Sequence, residues 1–196
     1  MQFSDVVRRR KMVRTFSDRP VPDDVLDRIL RNSQRAPSAG YTQGWDLLVL
    51  QGAEETRRFW DATFPEEGRK TFRWQGLFAA PVIIVPLSSM DAYLDRYAEA
   101  DKGWSDRDPD RWPVPYWDVD TGFAALLMLL TAVDEGLGAL FFGVFRPDAL
   151  GEAFGIPDTH RAVGAIALGY PMPDEPSSSL RRGRRRMEEV VHRGKW

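Results

Sequence analysis

The chain has no cysteine among its 196 residues. That excludes a disulfide framework and any thiolate metal site, and it suits a reducing compartment. Histidine is almost as scarce. His160 and His192 lie far apart in the sequence, and neither has a serine or carboxylate spaced as a partner. A zinc or di-iron centre and Ser–His catalysis are therefore not expected. Long apolar runs are missing too: the most hydrophobic stretch, 123–133, is half of the ~20 residues that a membrane-spanning helix needs. The opening MQFSDVVRRRK lacks an apolar core of signal-peptide length. The expectation is a soluble, cytoplasmic protein with no membrane partner. Neither a phosphate-binding Gly-x-x-x-x-Gly-Lys-Ser/Thr nor a nucleophile Gly-x-Ser-x-Gly occurs. Gly136-Leu137-Gly138 follows a helix pattern and precedes a strand pattern, the reverse of a dinucleotide fingerprint. What remains is a protein in which a cofactor does the hard chemistry.

What is present is an uneven charge layout. Residues 1–20 carry a net +4 and residues 177–196 a net +5, so the middle holds −11 of the formal total of −2. Arg8-Arg9-Arg10-Lys11 and Arg14 at one end are echoed by Arg181-Arg182-Gly183-Arg184-Arg185-Arg186 at the other. Guanidinium forks match phosphate oxygens bidentately, so two such clusters suggest convergence on one small anionic group. Solvated basic tails and a nucleic-acid footprint are the alternatives. The acidic middle and the pI near 5.8 oppose the second, and no nucleic acid is expected.

The length and the 43% apolar content describe one ordinary globular domain over 1–196. A short helix is expected over Phe3–Arg10, with Phe3, Val6 and Val7 on one side. A second should start with Pro22 at its first position, and Asp23 and Asp24 complement its dipole. Its stripe is Val25, Leu26, Ile29 and Leu30, and Ala36-Pro37 stops it. A small, polar loop 36–45 then leads into a strand at 46–50, and a third helix covers 53–61. Residues 80–87 form a buried strand, β-branched and bounded by prolines. Residues 88–118 combine proline, charge and Trp112, Tyr116 and Trp117. This composition opposes regular structure, and reads as a structured excursion whose rings either cover a ligand or pin the loop down. A helix from about Asp120 to Gly136, apolar on nearly every side, should be buried and can serve a subunit interface. A strand over 139–145 interrupted by Gly143, a helix over 149–154 and a strand over 163–168 follow. Residues 172–196 form an extended basic arm. Helices flanking several apolar strands point to an α+β or three-layer domain.

An ordered set of segments resembles the flavin-dependent nitroreductase family. They are Arg10-Lys11-Met12-Val13-Arg14-Thr15-Phe16, then 36–45 (Ala-Pro-Ser-Ala-Gly-Tyr-Thr-Gln-Gly-Trp), Gly138-Ala139-Leu140-Phe141-Phe142-Gly143-Val144, Ala167-Leu168-Gly169-Tyr170-Pro171, and the ending 185–192 (Arg-Arg-Met-Glu-Glu-Val-Val-His). The resemblance implies an α+β three-layer sandwich with a mixed, mostly antiparallel sheet. It further implies an intertwined homodimer with two FMN sites at the subunit interface. Arg10, Lys11 and Arg14, with Arg182, Arg184 and Arg185, would then hold the FMN phosphate. Met12 stands where the family often has Ser, which removes a hydroxyl contact. Pro37, Ser38, Ala39 and Tyr41 would line the flavin and ribityl chain. Tyr41 replaces a common Asn or Ser, leaving Gln43 as the hydrogen-bonding side chain. Phe142, Gly143 and Val144 would bring a backbone N–H near flavin N5. Arg186 replaces a usual Pro, so the register of the tail is open by one residue.

The implied activity is ping-pong transfer of a hydride from NAD(P)H, through FMN, to a flat small molecule such as a nitroaromatic or quinone. No catalytic side chain is required, and Trp112, Tyr116 and Trp117 would wall the substrate pocket. Other readings stay open: a different flavin reaction on the same fold (dehydrogenation, dehalogenation, deazaflavin-linked reduction), or a flavin-sequestering module without turnover.

Overall fold

The computed structural model describes all 196 residues. Helix α1 spans Phe3–Arg9 and buries only Val6, leaving Phe3 and Val7 in solvent. Helix α2, Asp23–Ser33, begins one residue later than expected. Pro22 is its N-cap, and Leu26 and Ile29 are buried. Strand β1 (Trp45–Gln51) leads to α3 (Ala53–Thr63) and the short α4 (Glu66–Thr71). Strand β2 (Val82–Ser88) is buried along its whole length.

The 88–118 segment is more regular than its composition suggests. It opens with helix α5, Met90–Ala98, capped by Ser89, whose side chain accepts the Ala92 N–H. Its end belongs to α6, which runs from Tyr116 to Asp134 and starts four residues before the expected position because Pro115 is its N-cap. Strand β3 (Gly138–Phe142) ends just before Gly143 rather than passing through it. Helix α7 (Pro147–Phe154), the two-residue β4 (Arg161–Ala162) and β5 (Ala165–Gly169) complete the core.

The sheet order is β1-β2-β5-β3 with every strand pair antiparallel; β4 also pairs with β2. A single parallel bridge, Met12 to Ala139, lays the N-terminal segment along β3. Alternation along the strands sorts the core into two layers, because successive side chains face opposite sides of a sheet. Ile83, Val85, Leu87, Leu140, Ala165 and Ala167 meet Phe59, Trp60 and Leu150 from α3 and α7. Val82, Ile84, Ala139, Ile166 and Leu168 meet Leu26 and Ile29 of α2 and Ala125, Met128 and Leu129 of α6. The result is the expected α+β three-layer sandwich.

Helix α6 is long and apolar enough, by length and composition alone, to cross a membrane. Here it serves as the core helix of one face. It is not buried all round: Phe123 and Leu126 are 42% and 46% exposed.

One ion pair ties α2 to the end of α6. Arg28 donates from Nε and Nη2 to the two Glu135 oxygens at 2.9 Å each, and from Nη1 to Asp24 at 2.8 Å. The hydrogen bond from Arg28 holds the Glu135 carboxyl below its ordinary value of 4.5. A depressed folded-state value contributes stability at pH values above that of the unfolded chain, and the contribution disappears as pH falls through the folded value. Glu135→Gln should therefore flatten the loss of stability below about pH 4.5, read from urea midpoints across pH.

Candidate functional site

The N-terminal segment threads between the end of the sheet and the base of the C-terminal arm. The Val13 N–H donates to Ala139 O at 3.0 Å, and the Met172 N–H to Thr15 O at 2.9 Å. Asp174 accepts the Arg14 N–H at 2.7 Å and the Thr15 hydroxyl at 3.2 Å. These contacts fix Arg14 at the mouth of an aromatic hollow. Its guanidinium donates to Met12 O at 3.2 Å and lies 5.0 Å from the Trp74 ring centroid, with no carboxylate partner. Arg10 and Lys11 precede it at the exposed end of α1 and form no ion pair. Guanidinium groups without an acid partner are able to receive an external anion.

The hollow has a volume of about 200 Å³ and is lined by Arg14, Trp60, Phe72, Trp74 and the β3 end, Phe142, Gly143 and Val144. Trp60 stacks on Phe142 with ring centroids 5.5 Å apart, and its indole N–H is buried without a partner. A Cβ built on Gly143 would meet nothing within 4 Å, so the backbone there can be approached closely by a flat ring. The residue types fit FMN: aromatic walls, an open backbone edge and the free Arg14 guanidinium. The size does not suffice, since pockets for ligands of this class enclose roughly 300–1,000 Å³.

The second set of expected residues lies elsewhere in the protomer. Pro37, Ser38, Ala39, Tyr41 and Gln43 form the loop between α2 and β1, and Tyr41 and Gln43 line an open polar basin of about 670 Å³ with Arg31, Arg35 and Trp45. The loop is strained. Gly40, Tyr41 and Gln43 all have positive φ, at 61°, 56° and 54°, and two of the three carry side chains that disfavour it. Ser38 Oγ is occupied locally, accepting the Gln43 N–H at 3.0 Å. Tyr41 is 79% exposed.

Trp112 and Trp117 gather around Tyr93 and Tyr97 of α5, behind this loop. Trp112 sits 4.5 Å from Tyr97 and 5.8 Å from Tyr116 by ring centroids. Its indole N–H is buried and unpartnered, and Tyr116 is the exposed member of the group. Arg182, Arg184 and Arg185 lie on the exposed arm. Arg185 bonds to Glu189 O, while no acid pairs with Arg182 or Arg184. The base of the arm meets the Arg14 segment through Met172 and Asp174.

Two further results depart from the sequence reading. His160 has a carboxylate partner after all, Asp46 at 2.8 Å, 114 positions away. Spacing along the chain could not show it. The site also takes in Trp74, Asp174 and Asp120, which no motif marks. Asp120 had a signal: a carboxylate inside an apolar helix needs a partner.

An antiparallel sheet between two helical layers, with an aromatic hollow rimmed by Arg14 at one sheet end, defines an α+β sandwich. The model of the family described as "Nitroreductase family" matches residues 7–170, and the chain belongs to that family. It is 28% identical over 191 residues to an Archaeoglobus fulgidus protein named "Putative NADH dehydrogenase/NAD(P)H nitroreductase", covering 95% of this chain and 94% of that one. A crystal structure of a nitroreductase family protein from Clostridium difficile 630 superposes with a TM-score of 0.75 at 22% identity, over 100% of both chains. A Staphylococcus epidermidis structure described as a "putative NAD(P)H:FMN oxidoreductase" gives 0.72 at 19% identity, over 97% of this chain and 95% of that one.

Proposed function

We propose that this chain is an FMN-dependent oxidoreductase that passes a hydride from NAD(P)H to a flat oxidant, a nitroaromatic or quinone, by a ping-pong route. The observation that carries the reading is the meeting of unpaired Arg14, the aromatic walls and the open Gly143 backbone at one hollow. The family membership and the names of the relatives support it.

Bound FMN would supply hydride acceptance and donation at its N5. The chain's own residues bind and orient it. Arg10, Lys11 and Arg14 neutralise the phosphate, with Arg182, Arg184 or Arg185 reaching it from an arm. The Gly143 and Val144 amides would offer a donor to the ring, and Phe142, Trp60 and Trp74 would keep water from one side. The 38–43 loop supplies the opposite wall from a second copy of the chain. Two features support a homodimer. The hollow is too small alone, and α6 and α1 expose Phe123, Leu126 and Phe3. Tyr116 then stands where an incoming flat substrate can stack on it. The cysteine-free composition agrees with a cytoplasmic setting.

The test is spectroscopic. The purified protein should show flavin absorbance, which NADH or NADPH bleaches without air and a quinone restores. Flavin that only a deazaflavin donor reduces would replace NAD(P)H in this scheme. Flavin that no donor reduces would leave a binding module.

A further inference from the structure

The 38–43 loop holds three consecutive-region residues at positive φ, and such strain persists only where neighbours over-determine it. The neighbours are identifiable, and all come from α5 and α6. Asp120, 2% exposed, uses one oxygen, Oδ2, to accept the Ala39 N–H at 2.8 Å and the Tyr93 hydroxyl at 2.7 Å. Burial, and then the bond to Asp120, push the Tyr93 phenol above its ordinary value, so it remains a donor. Arg96 Nε donates to Gly40 O at 2.9 Å, and Asp101 holds that guanidinium from its outer side at 2.7 and 2.8 Å. The rings press on the loop as well. A Cβ on Gly40 would lie 2.7 Å from Tyr97, and one on Gly44 would lie 2.6 Å from Tyr93. Behind them, Trp112 packs edge to face on both Tyr93 and Tyr97, and Trp104 lies tilted against Tyr97.

We propose that Asp120, acting with Tyr93 and Arg96, is a positioning group that locks the Ser38–Gln43 loop into the shape the cofactor site needs, so that the 88–118 segment governs flavin affinity through this loop. The inference rests on the FMN reading above. It gives the aromatic excursion a role apart from lining a substrate pocket. It also explains why an apolar core helix carries a buried carboxylate: with two donors satisfied, Asp120 joins α5, α6 and the loop at one point.

The experiment compares wild type with Tyr93→Phe, Asp120→Ala and Asp120→Asn. Amide exchange in the apoprotein is read alongside the FMN dissociation constant. Removing one donor or the acceptor should raise exchange across Ala39–Gln43 while the β2 amides stay protected. It should also weaken FMN binding by about tenfold in Tyr93→Phe, and by more in Asp120→Ala. Asp120→Asn keeps an acceptor for Ala39 and should recover affinity to within a few-fold of wild type. Tyr93→Phe preserves the ring and its packing, so it keeps the test meaningful if Asp120→Ala folds poorly. Unchanged exchange at the loop in Tyr93→Phe overturns the proposal. So does a freed loop with unchanged FMN affinity. A wild-type chain that protects the loop through Asp120 yet binds no FMN would overturn the functional reading and, with it, the affinity half of the proposal, leaving the loop clamp demonstrated by exchange.

Discussion

Replacing both Arg10 and Arg14 by alanine is expected to weaken FMN binding by about 10²–10³-fold while leaving the fold intact. A hydrogen bond to a charged group contributes about 1.5–3 kcal/mol, so two lost phosphate contacts span that range even when their effects fall short of additive. Stability should move little. Arg10 forms no ion pair, and the Arg14 side chain donates only to Met12 O and rests on Trp74, while its backbone bond to Asp174 survives the substitution. Surface interactions of that kind typically contribute less than about 1 kcal/mol. Flavin titration followed by fluorescence, beside urea melts of the apoprotein, separates the two effects. A double variant that binds FMN as wild type does would remove these residues from the phosphate site.

The second large effect concerns the layer that supports the hollow. Phe59 is fully buried, 5.0 Å from Trp60 and 6.2 Å from Phe142 in edge-on geometry. Phe59→Ala should cost about 3–5 kcal/mol, from lost transfer energy plus the cavity left behind. That is a large share of the roughly 5–15 kcal/mol that holds a domain together. The urea midpoint should fall with little change in slope. Because Phe142 and Trp60 lean on Phe59 and also wall the hollow, flavin affinity should fall as well. A midpoint shift without any change in affinity would show that the wall stands independently of its support.

The sheet was legible because its strands announce themselves. Val82 to Leu87 is β-branched, bounded by prolines and fully buried, and it lies at the centre of the sheet. The helices were legible where one face is apolar, as in α2. Proline misled in the 88–118 segment. Pro113 and Pro115 read as breakers, yet Pro115 caps α6, and Ser89 caps α5 within the same charged stretch. The site divides in the same way. Residue types pointed to the basic clusters, and the family resemblance to the glycine edge, as candidates. Their separation into a hollow beside β3 and a loop beside α5 depends on which end of the sheet each connection reaches, and linear spacing carries no information about that. Asp120 and Tyr93 lie 27 positions apart and meet only in the folded chain. Likewise, the pairing of Asp174 with the Arg14 amide spans 160 positions.

The central claim is that neither half of the site suffices alone, and that two chains close around each flavin. Sedimentation of the purified protein during an FMN titration tests it directly. The account predicts a yellow particle of two chains with one flavin per chain, and weakened flavin binding when dilution separates the chains. A monomer that binds FMN at undiminished affinity, or a colourless protein that never takes it up, would contradict it.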